Sequence, residues 1–152
     1  QAVIEAGMAA DSDQPGDGAA GGLGFALRTL AGAQMVSGAR LVAELAGLKQ
    51  AIATADLVVT GEGRTDFQTL FGKLPVVVAE LSAAADVPCV LLSGDIAGDQ
   101  APLRQHFAAC FSTVPAVLPL AQVLKQARAD LFSCGCAVAG LVAAASRRKG
   151  GS

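Results

Sequence analysis

The sequence of 152 residues lacks tryptophan and tyrosine, and it contains a single histidine, His106. It also lacks a long hydrophobic run, because the longest one, at 134–145, is far shorter than the ~20 residues that cross a bilayer. We therefore predict no membrane segment. The net charge is -2, and basic residues cluster only at 147–149. A nucleic-acid-binding protein needs a basic patch or stripe, so we predict no nucleic-acid partner.

Four cysteines are present, and none of them forms the C-x-x-C spacing typical of zinc knuckles and redox motifs. Cys89 and Cys110 fall in predicted strands, where a free cysteine behaves as a small buried hydrophobe. Cys134 and Cys136 have no neighbouring histidine or second cysteine pair to complete a metal site. Reduced thiols are typical of the cytoplasm, and we expect a cytoplasmic protein.

What the chain does contain is the pattern of an α/β domain. Of its residues 53% are apolar, which is enough for one sizeable core. Apolar runs at 55–61, 87–94 and 110–114 predict strands that are buried on both faces. A helix is predicted from Pro75 to about Ala85, because proline suits the first turn of a helix. Strand, helix and strand at this spacing predict a parallel sheet of Rossmann or flavodoxin-like type with flanking helices.

Further helices are predicted before the first strand. Residues 1–21 are rich in turn formers, and a helical pattern follows from Gly22 to about Ala33. Leucine and isoleucine then recur at steps of three and four along 41–52, which predicts an amphipathic helix broken near Gly47. We predict three parts of the chain: a loop and helix at 1–36 that belong to or border a second lobe, an α/β lobe at 37–147, and a tail at 148–152.

The segment "TGEGRTDFQTLFGK", 60–73, follows the first predicted strand directly. A second polar, glycine-rich segment, "SGDIAGD" at 93–99, follows the next strand. Ligands of open α/β sheets bind outside the carboxyl ends of the strands. We therefore expect the two segments to lie side by side and to form one binding site.

The residue types in 60–73 suit phosphate. Gly61 and Gly63 allow positive φ and a close approach of the backbone to a ligand, and Arg64 offers a fork of donors that matches phosphate or carboxylate oxygens. Glu62 and Asp66 can hold hydrated Mg²⁺, or one of them can accept a hydroxyl proton. The predicted site comprises three sets: Asp66, Arg64 and Lys73 as catalytic residues; Gly61, Gly63, Arg64, Gln68, Thr69, Ser93 and Gly94 for substrate or phosphate; and Glu62 and Asp66 for metal.

A purely structural interpretation of the same segment stays open. Thr65-x-x-Gln68 matches a helix capping box, and Asp66 in a first helical turn favours the helix dipole. An arginine beside two acids is also typical of a solvated cluster of ion pairs. From spacing alone the two interpretations carry about equal weight, since capping boxes are common.

Standard nucleotide fingerprints do not match. "GDGAAG" at 16–21 fits G-x-G-x-x-G, but no apolar strand precedes it. Gly72-Lys73 resembles the end of a Walker A loop, yet Leu74 stands where serine or threonine is required. Neither motif predicts a dinucleotide or P-loop site.

Two blocks together resemble the bacterial glycerate kinase family. They are "GDGAAGGLGFAL" at 16–27 and "ADLVVTGEGRTDFQTLFGKLPVVVAELS" at 55–82. Members of that family carry a GAAGGLG block and, later, a strand that ends in TGEGR-x-D-x-Q-T followed by G-K-x-P. The similarity covers about 7–131. It implies phosphorylation of a hydroxyl of D-glycerate by ATP with Mg²⁺, in a two-lobed enzyme whose site lies in the cleft between the lobes.

Family members are more than twice this long and begin with a strand and a "DSFKGS"-like loop that is missing here. The chain opens on Gln1 and ends in "GGS", which is typical of an added tail. We therefore expect a C-terminal portion of a kinase with little or no activity alone. We also hypothesise a homodimer through the surface that the missing lobe would cover. The alternative function is a non-catalytic α/β module that binds an anion at GEGRTD.

Overall fold

The structure is a computed structural model that describes residues 14–149. The chain forms two compact units, 1–38 and 39–152. Residues 1–13 and 150–152, which include part of the predicted N-terminal loop and of the predicted tail, lie outside the described residues. The assignment of 1–36 to a second lobe stays a prediction.

The first unit contains a 3-10 turn, Ala19–Gly22, and helix α1, Leu23–Ala31, which confirms the helix predicted there. Asp17 is buried, and its carboxylate accepts hydrogen bonds from both Nε and Nη2 of Arg28, at 2.9 and 2.6 Å. These bonds hold the pKa of Asp17 below its ordinary value of 3.8. A Cβ on Gly24 would lie 2.2 Å from the carbonyl oxygen of Gly16. The absence of a side chain at Gly24 therefore allows the backbone at Gly16 to pack closely against α1.

The second unit contains a three-stranded sheet and four helices within the described residues. Its elements are α2 (Gly38–Leu45), α3 (Leu48–Ile52), β1 (Val58–Thr65), a 3-10 turn (Phe67–Leu70), α4 (Leu74–Ala83), β2 (Cys89–Ile96), a 3-10 turn (Pro102–Gln105), β3 (Ala109–Ser112) and α5 (Leu120–Lys149). The break between α2 and α3 falls at Gly47, whose φ of 66° only glycine adopts readily. The break predicted near Gly47 is confirmed.

The sheet has the order β1-β2-β3, and both strand pairs are parallel. This confirms the predicted parallel α/β fold. Val58 pairs with Cys89, and the same register continues to Thr65 and Ile96. The carboxyl halves of β1 and β2 therefore run side by side, as we expected for the two polar segments.

The predicted end of the first strand at Gly61 is wrong, because β1 continues through the charged residues as far as Thr65. Thr60 to Thr65 belong to β1, and Ser93 to Ile96 belong to β2. Glycine and charged residues are depleted in strands, so the local pattern indicated a loop. Pairing with β2 along the whole segment overrides that preference.

Helices pack against both faces of the sheet. On one face, Cys89 and Leu91 of β2 pack with Val76 and Ala79 of α4, all at 3% exposure or less. On the other face, Val90 and Leu92 contact Val138 of α5, together with partly buried neighbours that include Cys134. Since successive side chains of a strand point to opposite faces, β2 supplies both halves of the core.

Helix α5 is more exposed than its sequence predicts. Leu120, Leu124 and Leu131 recur at helical spacing, which predicts that they pack on the sheet, but they are 71%, 68% and 50% exposed. Val138 is the buried apolar side chain of this helix among the described residues. Contact with the sheet is therefore made further along the helix than we predicted.

By length and composition alone, α5 could also cross a membrane over Leu120–Arg147. The prediction that every apolar segment is too short is wrong in this respect, because the helix continues through Gly135 and joins 134–145 to the residues before it. Core helices of soluble proteins pass the same test of length and composition. The absence of a membrane partner therefore stays a prediction.

Candidate active site

The carboxyl ends of β1 and β2 bring the charged residues of the two polar segments together. Glu62 pairs with Ser93 across the two strands, and Arg64 pairs with Asp95. In parallel α/β sheets this edge is where ligands bind. The candidate active site is built outward from these pairs.

The carboxylate of Glu62 is fixed by buried hydroxyl groups. Its Oε1 accepts a hydrogen bond from the Thr69 hydroxyl at 2.7 Å and lies 2.9 Å from the Thr65 hydroxyl. The Thr65 oxygen also lies 2.9 Å from Ser93 Oγ, and the Ser93 hydroxyl donates to the Asp95 carbonyl at 2.6 Å. Thr65, Thr69 and Ser93 have no exposed surface. A buried network of this kind holds its members in one orientation.

Both contacts of Glu62 involve the same carboxylate oxygen. Within residues 14–149, Oε2 of Glu62 takes no hydrogen bond. Glu62 is half-buried, and it is one of the residues that line a groove of about 530 Å³ between the strands and α5. One oxygen is therefore used for positioning, and the other remains for a ligand or a hydrated cation.

Asp66 caps the 3-10 turn that follows β1. Its Oδ1 accepts from the Gln68 backbone N–H at 2.9 Å, and its own N–H donates to the Thr69 hydroxyl oxygen at 3.3 Å. The capping box thus runs from Asp66 to Thr69, and the Thr65-x-x-Gln68 box we considered is wrong. Because Thr69 also donates to Glu62, its hydroxyl links the Glu62 carboxylate to the backbone of Asp66.

Two exposed ion pairs flank these carboxylates. Lys73 Nζ lies 3.8 Å from Asp66 Oδ1, and Arg64 Nε lies 3.4 Å from Asp95 Oδ2. Arg64 and Asp95 are 67% and 62% exposed. Exposed pairs contribute only about 0–1 kcal/mol, so either cation can exchange its partner for the oxygens of a ligand at small cost.

The glycines of β1 have a different local role from the one predicted. Neither Gly61 nor Gly63 has a positive φ. A Cβ on Gly61 would lie 2.3 Å from the Leu92 carbonyl oxygen, and one on Gly94 would lie 2.4 Å from the Gly63 carbonyl oxygen. These glycines allow the two strands to approach each other closely. A Cβ on Gly63 would meet nothing within 4 Å, so this position is open to a ligand.

The predicted site residues therefore occupy one edge of the sheet but differ in accessibility. Gln68 is exposed, whereas the hydroxyls of Thr69 and Ser93 are buried and already hydrogen-bonded. Their predicted contacts with phosphate stay predictions. Sequence reasoning missed Thr65, which we treated only as a helix cap. The available signal was the position of Thr65 at the end of the strand that carries GEGR, because a threonine there can hydrogen-bond the charged residues beside it.

The described residues contain no group of three or more histidine, cysteine, aspartate or glutamate side chains that could hold a metal ion. Mg²⁺ does not need such a group, since it binds through one or two carboxylates together with waters and substrate phosphates. Glu62 Oε2 and Asp66 fit that donor set. Both residues offer carboxylate oxygens as acceptors at the same edge of the sheet.

Comparison with known proteins gives a consistent family assignment. The model of the glycerate kinase family matches residues 1–143. A glycerate kinase of Bacillus subtilis (strain 168) is 41% identical over 116 residues, which are 76% of this chain and 30% of that protein. A glycerate 2-kinase of Escherichia coli (strain K12) is 33% identical over 150 residues, which are 97% of this chain and 39% of that protein.

Among solved structures, a protein assigned as glycerate kinase 2 in Salmonella typhimurium LT2 matches with a TM-score of 0.68 and 34% sequence identity. The match covers 89% of this chain and 34% of that protein. The chain thus spans about a third of the length of the relatives it matches.

Proposed function

This chain belongs to the glycerate kinase family, and we propose that the protein carrying it transfers the terminal phosphoryl group of ATP to a hydroxyl of D-glycerate. The product would be phosphoglycerate. The observation that carries the proposal is the fixed carboxylate of Glu62, held by Thr65 and Thr69 at the carboxyl edge of a parallel sheet. Phosphoryl transfer depends chiefly on positioning and charge stabilisation, and a fixed acid beside exposed cations supplies both.

We assign the roles by accessibility. Glu62 and Asp66 would hold Mg²⁺, which supplies charge neutralisation on the phosphates when bound. Arg64 and Lys73 would bind phosphate or the glycerate carboxylate, because both cations are exposed and weakly paired. Alternatively, Asp66, which is one-third exposed, would accept the proton of the glycerate hydroxyl.

The remaining predicted residues divide into two groups. Gly61, Gly63, Gly94 and Gln68 would line the path of the phosphates along the strand ends. Thr69 and Ser93 would instead keep Glu62 in place, because their hydroxyls are already used inside the network. The name of the Escherichia coli relative makes the 2-hydroxyl of glycerate the acceptor to test first.

Since the chain spans about a third of its relatives, we propose that the rest of such a protein completes the cleft and that these 152 residues alone turn over little substrate. A cytoplasmic location is part of the proposal, because ATP and reduced thiols belong to that compartment. All four cysteines are free.

The test is an assay of glycerate-dependent ATP consumption by the protein of full natural length. Glu62→Gln should lower kcat by about 10²-fold or more, the usual effect of removing one electrostatic group from a phosphoryl-transfer or acyl-transfer site. Asp66→Ala should have a similar effect, while Asp56→Asn, an exposed acid before β1, serves as the control and should leave kcat unchanged. If the protein bound phosphate but consumed no ATP, the proposed kinase function would be rejected in favour of a non-catalytic module that binds an anion.

A further inference from the structure

A second cleft adjoins the Glu62 groove, and the roles assigned above leave most of it unused. It has a volume of about 690 Å³ and is enclosed by the carboxyl ends of the strands, residues 113–118 and the first three turns of α5. Small-molecule sites in proteins typically have volumes of about 300–1,000 Å³. The cleft is thus large enough for a ligand of nucleoside size.

One wall of this cleft is apolar. It includes Val114 and Leu118 from the segment after β3, and Val123 and Leu124 from α5. Leu124 is 68% exposed although it is a large apolar side chain. An apolar part of a ligand would cover this wall and gain the free energy of removing it from water.

Asp130 gives the cleft a specific polar requirement. This residue of α5 lines the cleft, and its Oδ2 is buried without a hydrogen-bond partner among the described residues. In the second unit it is the one described side-chain atom of this kind. A buried acceptor without a donor is destabilising, and in native structures such a group is usually met by water, an ion or a ligand. The cleft is therefore complementary to a ligand that donates hydrogen bonds.

The charges around the cleft narrow the ligand class further. Two carboxylates, Asp95 and Asp130, share the cleft with one cation, Arg64. This balance disfavours a bare anion, while Arg64 at one edge can still bind a phosphate. The cleft also shares Gly63 and Gly94 with the Glu62 groove. A ligand that fills the cleft can therefore continue along the strand ends towards Glu62.

We propose that this cleft binds the nucleoside part of a nucleotide. The base would lie on the apolar wall, and a hydroxyl of the ribose would donate to Oδ2 of Asp130. Acidic side chains recognise ribose hydroxyls in the same way in other α/β folds. The phosphates would leave past Arg64 towards Glu62. The choice of a nucleotide rests on the proposed kinase function, whereas the preference for a partly apolar ligand that donates hydrogen bonds rests on the cleft alone.

The test is equilibrium dialysis of the 152-residue chain with adenosine, which carries no phosphate. Asp130→Ala should weaken adenosine binding at least about tenfold, the effect of one lost hydrogen bond to a charged group. The same change should raise Tm by about 2–4 °C, because it removes a buried oxygen that has no partner. Asp56→Ala, an exposed acid outside the cleft, is the control and should change neither value.

Two further measurements distinguish a loss of adenosine binding from a loss of folding. Leu124→Arg alters an exposed side chain, so the chain should keep its circular dichroism spectrum and still lose adenosine binding at least about tenfold. 2′,3′-Dideoxyadenosine should bind the unmodified chain as weakly as adenosine binds Asp130→Ala. Adenosine binding that neither variant changes, or D-glycerate binding lost in Asp130→Ala with adenosine unaffected, would overturn the inference.

The outcome is distinct from that of the kinase assay. Loss of turnover in Glu62→Gln together with no adenosine binding would retain the kinase and reject the cleft. Adenosine binding through Asp130 in a protein without glycerate-dependent turnover would retain the cleft and reject the kinase.

Discussion

The two faces of the central sheet differ in how completely they are covered. On the α4 face, Val76, Ala79 and Leu91 are each 1% exposed or less. On the α5 face, Val138 is buried, but Leu124 and Leu141 are more than 60% exposed. The two helices flank the same three strands, so the strands themselves do not explain the difference.

The α4 face of the sheet therefore supplies most of the stability, whereas the α5 face remains available for ligands and partners. The α4 face is packed like a finished interior. The α5 face carries both clefts and several large exposed apolar side chains, which mark interaction surfaces when they are contiguous. If the two faces differ as strongly in solution, their residues should differ in reactivity and in their contribution to stability.

The largest contrast should appear in thiol reactivity. Cys89 lies in the α4 core, and burial raises the pKa of its thiol above the ordinary value of 9.0. Cys136 on α5 is exposed. Since the thiolate is the reactive form and buried groups react only after opening, Cys136 should be alkylated at least about a thousandfold faster than Cys89. Peptide mapping after timed iodoacetamide treatment measures both rates, and similar rates would show that the α4 face is open.

A matched pair of leucine truncations gives the next largest difference. Leu91→Ala removes a side chain with no exposure and should lower the free energy of unfolding by about 2–5 kcal/mol. Leu141→Ala removes one that is 64% exposed and should change it by less than about 0.5 kcal/mol. Urea unfolding of both variants supplies the two values. Equal losses would mean that the α5 face is covered in solution, for example by a second chain.

Thr65→Val should have a smaller effect on stability, because it deletes one hydroxyl from the Glu62 network without changing the shape of the side chain. We expect a loss of about 1–3 kcal/mol, since the group leaves buried partners unsatisfied. Thr54→Val, which removes an exposed hydroxyl after α3, should change the free energy of unfolding by less than about 0.5 kcal/mol. Chemical denaturation compares the two. If Thr65→Val left the free energy of unfolding unchanged, the hydrogen-bond network around Glu62 would not contribute to stability.

The hypothesised homodimer gives the smallest expected change. Phe132 on α5 is 73% exposed. If two copies associate through this face, Phe132→Glu should weaken the dimer about tenfold, or 1.4 kcal/mol, without lowering the stability of each chain. Sedimentation across a range of concentrations measures the dissociation constant. A monomer at every concentration would reject the dimer and leave the face free for another partner.

Part of this fold was predictable because apolar runs are strong signals. The runs at 87–94 and 55–61 indicated neighbouring parallel strands, and Pro75 indicated the start of α4. From these elements it followed that the polar segments after the two strands would meet. The placement of Arg64 opposite Asp95 is a direct consequence.

Other features depend on contacts that a local pattern does not contain. Gly61 and Gly63 favour a turn, but a strand forms because the backbone of β2 lies against them. The sequence favoured a capping box from Thr65 to Gln68, but Thr65 is buried at the end of β1 and the box forms from Asp66 to Thr69 instead. Gly135 costs about 1 kcal/mol in a helix, which a helix as long as α5 tolerates.

A double-mutant cycle between Glu62 and Thr65 in the full-length protein tests how the buried network acts on the candidate site. We propose that Thr65 contributes to glycerate-dependent ATP consumption by positioning Glu62. Thr65→Val alone should lower kcat about 10- to 100-fold and Thr65→Ser should restore most of it, while Thr65→Val added to Glu62→Gln should change kcat less than about twofold. If Thr65→Val lowered kcat by the same 10- to 100-fold in the Glu62→Gln background, Thr65 would not act through Glu62.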